Sequence, residues 1–528
     1  MSKLAASPTN VGRAALPKGV RSFVTVGAAV LALAMAPQRA EAFCGFYVEG
    51  SGAKLAADAT QVTLMRQGTR TVLAMQNDYK GPLNDFAMVV PVPVVLKEKD
   101  VKTLDKSVLK RIEMLGSPRL VEYWEQNPCP VPSRYDDRAY DMVSKSAPMT
   151  EMASTGMGGG RQTVKIEAQF AVGEYKILIL SATEAAGLET WLKQNGYKIP
   201  DGAEPLLRPY VEAGSKFFVA KVDPKKVTMD AQGVAQLSPL RFHYDSEEFS
   251  LPIRLGMANS TGKQDLIVNI ISDTRYEVAN YKNVVIPTNF DVKDSVRTRF
   301  AEFYAALFDK TLEANPRAVV TEYAWDAQPY SMCDPCPPEI PTDADAMTLG
   351  GDVIGGRIAQ GTYTLTRLHA RYGKADMNDD LRFRAAKPIQ GGRENWSAKG
   401  LEYGATPAQA NNFQARYAIR HWWTGPIACK NPRRGVWGGP PDGGYRQPIA
   451  ASKLAYAPRG QLSLPTVVKR DLWEIGMKKS SSPAPSQKKG GFATPPGGKT
   501  MGLGFGGGVL GGLAMLGLIA LVARKRTS

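Results

Sequence analysis

Residues 295–312, SVRTRFAEFYAALFDKTL, followed by residues 319–325, VVTEYAW, decide the fold class. Phe300, Phe303, Tyr304, Leu307, Phe308 and Leu312 recur at the i, i+3, i+4 spacing that gathers side chains on one face of a helix. A stripe this wide and aromatic predicts a helix from Ser295 packed into the core. The β-branched and aromatic run that follows predicts a strand. Working outward, strands are expected at Gly361–Tyr372 and Ala415–Trp423 on one side, and at Lys216–Val222, Leu240–Tyr244 and Leu266–Ile271 on the other. Gln61–Met65 and Thr71–Met75 flank Gln67-Gly68 as a hairpin, and Val164–Phe170 and Tyr175–Leu180 form a second around Gly173. Phe86–Val95 reads as a strand confined to an edge or bulge by Pro91 and Pro93.

Two further helices interrupt these strands. Leu104, Val108, Ile112 and Leu115 keep helical spacing until Gly116 and Pro118 stop it. Leu188, Trp191 and Leu192 follow an expected N-cap at Thr183 and end at Gly196. Helices set among strands without strict alternation predict an α+β, strand-rich fold in two subdomains. The expected organisation is an N-terminal α+β part at 43–148, a main α+β part at 161–435 and an extended region at 436–477, with a Gly/Met/Ser-rich break at 149–160.

The two ends carry targeting features. Lys3, Arg13, Lys18 and Arg21 precede the apolar run Phe23–Ala36, and Ala40-Glu41-Ala42 has the small residues a signal peptidase needs. Residues 1–42 therefore read as a signal peptide cut between Ala42 and Phe43. Residues 478–500 are Lys, Ser, Pro and Gly with one large apolar side chain, Phe492, and read as a disordered spacer. The uncharged stretch 501–523 is roughly 35 Å long as a helix at about 1.5 Å per residue, enough to cross a bilayer. Arg524, Lys525 and Arg526, in the basic tail 524–528, keep the C-terminus inside. Gly504, Gly508 and Gly512 have the spacing that pairs membrane helices. The alternative is that this glycine-rich tail, similar to the sorting tails of Gram-negative envelope proteins, is cleaved and the protein is passed to the cell surface.

Of the formal charge of +16, the signal carries +4 and residues 478–528 carry +8, which leaves +4 for residues 43–477. The basicity belongs to targeting, and no nucleic-acid partner is expected. The expected partners are the membrane and an envelope protein.

Five cysteines stand at 44, 129, 333, 336 and 429. Cys333-Asp-Pro-Cys336 runs into Pro337-Pro338, which disfavours the helix a thiol oxidoreductase would place there, so a structural disulfide between Cys333 and Cys336 is expected. Cys44, Cys129 and Cys429 then supply one more bridge and one leftover thiol. His243, His369 and His421 lie on separate predicted strands outside any metal motif and read as partly exposed strand residues. His421-Trp422-Trp423 reads as packing or an amphipathic edge. Gly497-Gly498-Lys499-Thr500 ends like a phosphate loop but lacks the first glycine and the preceding strand. No catalytic residue, metal or cofactor is read from these patterns. The leading expectation is a non-enzymatic binding or structural protein. The alternative is an envelope enzyme using Cys333/Cys336 for redox chemistry or the histidines for metal-dependent hydrolysis.

Taken in order, Phe43-Cys44-Gly45-Phe46-Tyr47-Val48, Cys333-Asp334-Pro335-Cys336, residues 365–372 (LTRLHARY), Asp380-Leu381-Arg382-Phe383 and residues 416–421 (RYAIRH) form a set. This set resembles the bacterial domain-of-unknown-function family numbered 2330, over residues 43–435. The resemblance implies an exported envelope protein and carries over no activity or catalytic residue.

Overall fold

Gln264–Ser272 is buried along its whole length on both faces, as an apolar run at the centre of a sheet should be. The computed structural model of the chain describes residues 46–48, 59–76, 87–129, 164–197, 203–229, 235–258, 263–327, 336–337, 339–373, 376–392, 394–395, 400–401, 404–444, 446–451 and 457–480. The strands used below are β1 Ala59–Gln67, β2 Arg70–Met75, β3 Arg119–Glu125, β4 Leu240–Asp245, β5 Gln264–Ser272, β6 Ala318–Ala327, β7 Tyr363–Tyr372, β8 Asn412–Gln414 and β9 Arg416–His421. The helices are α1 Lys106–Gly116, α2 Ala185–Gln194, α3 Glu204–Glu212 and α4 Phe300–Ala314.

Among the described residues, β8, β6, β7, β5, β1, β2 and β4 lie side by side in that order within an eleven-stranded sheet. β5 runs parallel to β1 and antiparallel to β7. The β1–β2 hairpin turns at Gly68, whose φ of 55° suits a residue without a Cβ. A second sheet of five strands contains Ala87–Val92, Lys216–Val222, Tyr175–Ala182 and Val164–Val172. Pro91 and Val92 pair with Lys216–Val222 on one side and lie past the end of Phe46–Val48 on the other, so proline occupies a local edge.

Alternation sorts side chains into layers. Val90, Val92, Ile177, Ile179, Phe218 and Ala220 of the smaller sheet meet Leu64, Leu73, Phe242, Val268 and Leu368 of the larger one. On the outer face of the smaller sheet, Val89, Leu180, Phe217 and Val219 are covered by Leu188 and Leu192 of α2 and Leu207 of α3. On the far face of the larger sheet, Val108, Ile112 and Leu115 of α1 pack on Met65, Ile271 and Leu365. The aromatic stripe of α4 packs against Val320 and Ala324 of the larger sheet and against Tyr417 and Ile419 of a third sheet, of five strands, that contains β3 and β9. The result is an α+β fold in which two sheets face each other, helices cover their outer faces, and a third sheet packs beside α4.

Several expectations shift in detail. The helix expected from Ser295 begins as a 3-10 turn, Asp294–Arg299, before α4, consistent with β-branched Val296 and Thr298 in that turn. The N-cap of α2 is Glu184, not Thr183, and makes no side-chain capping bond. Helix α3 was not expected, because Pro205 and Pro209 obscure its period. The region 436–477 is not simply extended: Leu464–Val467 is helical, and Leu464, Val467, Leu472 and Ile475 pack on the α4 core. Strands from both sides of the 149–160 break share the larger sheet, while the break itself lies outside the described residues. So do the signal, the spacer beyond Ser480, the 501–523 segment with its glycines, and the basic tail. Among the described residues no helix is long and apolar enough to cross a membrane.

Candidate functional site

Asp380 and Arg382, from the DLRF string, line the larger of two clefts described below, with a volume of about 400 Å³. Tyr210 and Pro209 come from α3, Pro91 from the strand that ends at Val92 and Pro93 from just beyond it, Tyr244 from β4, and Pro252 and Arg254 from the segment after Leu251. One oxygen of Asp380 accepts bonds from the Tyr210 hydroxyl at 2.7 Å and the backbone N–H groups of Ile253 at 2.8 Å and Arg254 at 3.2 Å. Burial nonetheless raises its pKa above the usual carboxylate value. Burial and the neighbouring Asp380 charge also push the Tyr210 phenol well up. At Asp379 burial acts in the same direction, but the Arg254 guanidinium outweighs it and the pKa falls. Arg382 reaches the other Asp379 oxygen at 3.2 Å. Proline and tyrosine walls and the charged side chains of Arg254, Asp379, Asp380 and Arg382 thus line one cleft. A second, smaller cleft of about 220 Å³ is lined by Asp273, Asp326, Arg357 and Asn411. The Asp326 carboxylate there already accepts bonds from Thr364 and Asn411.

The LTRLHARY string builds a different arrangement. Alternation puts Arg367, His369 and Arg371 of β7 on the sheet face under α4. β6 slips register between Thr321 and Tyr323, and the extra residue is Glu322. Its carboxylate lies 2.6 Å from Nδ1 of His369 and accepts from Arg367 Nε at 2.7 Å and the Tyr304 hydroxyl at 2.8 Å. Nε2 of His369 faces Asp265 at 3.8 Å, and Arg371 binds Asp265 at 2.6 Å and Asp309 at 2.8 Å. Arg459 joins Asp265 and Asp309 at the outer end. The Phe308 ring stacks on His369 with centroids 3.6 Å apart. Burial alone would raise Glu322, but His369 and Arg367 hold it down to about 2. Burial would lower His369, yet Glu322 and Asp265 raise it, so the imidazolium is favoured. Glu322, Arg367 and His369 are sealed from solvent, so this chain of charges joins β6, β7, β5 and α4 as a structural clamp.

The other histidines stand apart. His243 on β4 is separated from β7 by β2, β1 and β5, roughly 19 Å at about 4.8 Å per strand, and faces Asp100 at 3.4 Å. His421, at the end of β9, lies 2.8 Å from Glu122 and stacks on Trp124. Partial exposure holds for these two, whereas His369 is buried because its charge is neutralised on both sides. Among the described residues no group of three or more His, Cys, Asp or Glu side chains is placed to hold a metal ion.

Cys129 and Cys429 form a disulfide across 300 residues, with Cα atoms 5.5 Å apart. Cys336 is disulfide-bonded too, while Cys44 and Cys333 lie outside the described residues. The cleft carboxylate Asp380 and the clamp carboxylate Glu322 were not singled out as acids from sequence. The strings around Asp380 and His369 were the visible signal, and nothing marked the bulge at Glu322.

No curated protein and no solved structure matches the chain. The model of a family described as uncharacterized proteins conserved in bacteria, DUF2330, matches residues 38–384, more than half of the chain. The match includes the LTRLHARY strand and Asp380-Leu-Arg-Phe383 and stops before β9, so it is shorter than the 43–435 resemblance. By this match the chain belongs to the DUF2330 family of bacterial proteins.

Proposed function

We propose that this protein is exported to the bacterial envelope, held there by a single C-terminal membrane segment, and acts by binding a ligand or partner rather than by transforming a substrate. The observation that carries the location is the Cys129–Cys429 disulfide, joining positions 300 residues apart in the folded unit. Disulfides of this kind persist in oxidising compartments and are rare in a reducing cytosol. The binding reading is supported by the cleft at Asp380, whose rigid proline and tyrosine walls surround charges already held in place. The buried Glu322–His369 pair has the residue types of a proton relay but is closed off by α4, which favours a structural role.

Protease added to spheroplasts is expected to remove residues 43–477 and leave a short C-terminal fragment. A reporter fused after Ser528 that works only outside the cytoplasm would overturn the orientation. The mass of the intact native protein separates an anchor that keeps Arg524, Lys525 and Arg526 from a sorting tail cut within or before residues 501–523.

A further inference from the structure

The stretch from His421, the last residue of β9, to Gly438 leaves Trp422 57 %, Ile427 44 % and Val436 45 % exposed. The same stretch contains Lys430, Arg433 and Arg434 and no acidic residue. Such side chains in a floppy loop would collapse or reorient. Here the loop backbone is fixed. Cys429 is bonded to Cys129, Arg433 N–H donates to the Pro128 carbonyl at 2.7 Å, and the Gln126 N–H donates to Val436 at 2.8 Å. Trp423 and Gly435 N–H groups hold the buried Glu125 carboxylate at 3.0 and 2.8 Å, and Arg434 neutralises it at 2.9 Å. Trp422 stands edge-on against Trp437 at 4.9 Å, with the Arg434 guanidinium 5.9 Å from its ring.

A second exposed tryptophan lies at the end of the folded unit. Trp473 is 68 % exposed, with the Lys478 ammonium 5.7 Å from its ring centre and Lys479 exposed nearby. The residues leading into the two segments both touch Asp291, whose carboxylate faces Arg420 at 3.3 Å and whose carbonyl accepts from Lys469 N–H at 3.0 Å.

We propose that the stapled His421–Gly438 loop, with Trp473 as a second contact, docks on a membrane surface bearing anionic headgroups. Indole rings settle at the boundary between acyl chains and headgroups, and adjacent lysine and arginine side chains bind lipid phosphates. The pinned loop presents both without an ordering cost. The choice of a lipid occupant rests on the proposed membrane tether. Twenty residues, 481–500, separate the folded unit from the proposed membrane segment, and a Gly/Ser/Pro-type linker of that length spans roughly 25 Å.

All eight tryptophans lie between residues 124 and 473, so tryptophan fluorescence reports on the folded unit and is blind to the tail. The full chain is mixed with vesicles of brominated phosphatidylcholine, with or without about one third phosphatidylglycerol. Sedimentation and tryptophan quenching are measured together. The expected result is quenching that requires phosphatidylglycerol, is reduced in Trp422→Ser and falls with added salt. Lys430→Ser combined with Arg433→Ser, both at exposed positions, should weaken the quenching-competent state roughly thirtyfold, about fivefold per charge. Sedimentation without quenching overturns the docking and leaves the tether standing. Neither sedimentation nor quenching also overturns the docking. Quenching that persists unchanged in both variants overturns the assignment to this loop.

Discussion

Glu322→Gln tests whether the buried clamp carries the stability its geometry implies. The substitution keeps the volume but removes the charge that His369, Arg367 and Tyr304 share. A guanidinium and an imidazolium would then face a neutral amide with no access to water. Breaking a buried pair from one side costs about 3–5 kcal/mol. Linkage gives a similar size: holding the Glu322 carboxyl at about 2 instead of 4.5 corresponds to about 3 kcal/mol. Because the folded pKa is depressed, that stability is present above pH 4.5 and is lost as pH falls toward 2. His369 works in the opposite sense. Its raised pKa contributes stability below about pH 6.5, lost as pH rises through its folded value. Urea unfolding at pH 7 and pH 4, followed by tryptophan fluorescence, gives both numbers. The destabilisation by Glu322→Gln should be smaller at pH 4 than at pH 7, because the carboxyl of the unfolded wild-type chain takes up protons below about 4.5 while the folded one stays ionised. Adding Arg367→Met should recover part of the loss by removing an orphaned charge. A Glu322→Gln protein within about 1 kcal/mol of wild type at pH 7 would refute the clamp.

Cys129→Ser with Cys429→Ser opens a loop of 300 residues, so chain entropy sets a loss of up to about 5 kcal/mol, read as a lower unfolding midpoint under non-reducing conditions; an unchanged midpoint would mean the bridge is dispensable. Gly116→Ala at the end of α1 puts a methyl 3.3 Å from Arg367 Cδ, a few tenths of an ångström too close to a side chain held by Glu322, and should cost about 1 kcal/mol in the same assay; a variant as stable as wild type would show that Arg367 can shift without loss.

The helices α1 and α4, both hairpins and the α+β class follow from local periodicity, because the 3.6-residue and two-residue repeats record which face is buried. The charge partition is equally local, as runs of composition. Pro91 also announced its place, since a residue with no N–H cannot serve a sheet on both sides. Glu322 is different. Nothing in VVTEYAW distinguishes it from a solvent-facing acid in an alternating strand, and only the bulge against β7 turns it toward His369. The cleft likewise needed α3, hidden by its prolines, to bring Tyr210 to Asp380 across 170 residues. The pairing of Cys129 with Cys429 needed β3 and β9 to lie side by side, a parallel contact between strands nearly 300 residues apart. Local order follows from each segment's own pattern of apolar residues. Which charges meet inside the protein depends on strand register and chain crossing, which the pattern within a single segment does not encode.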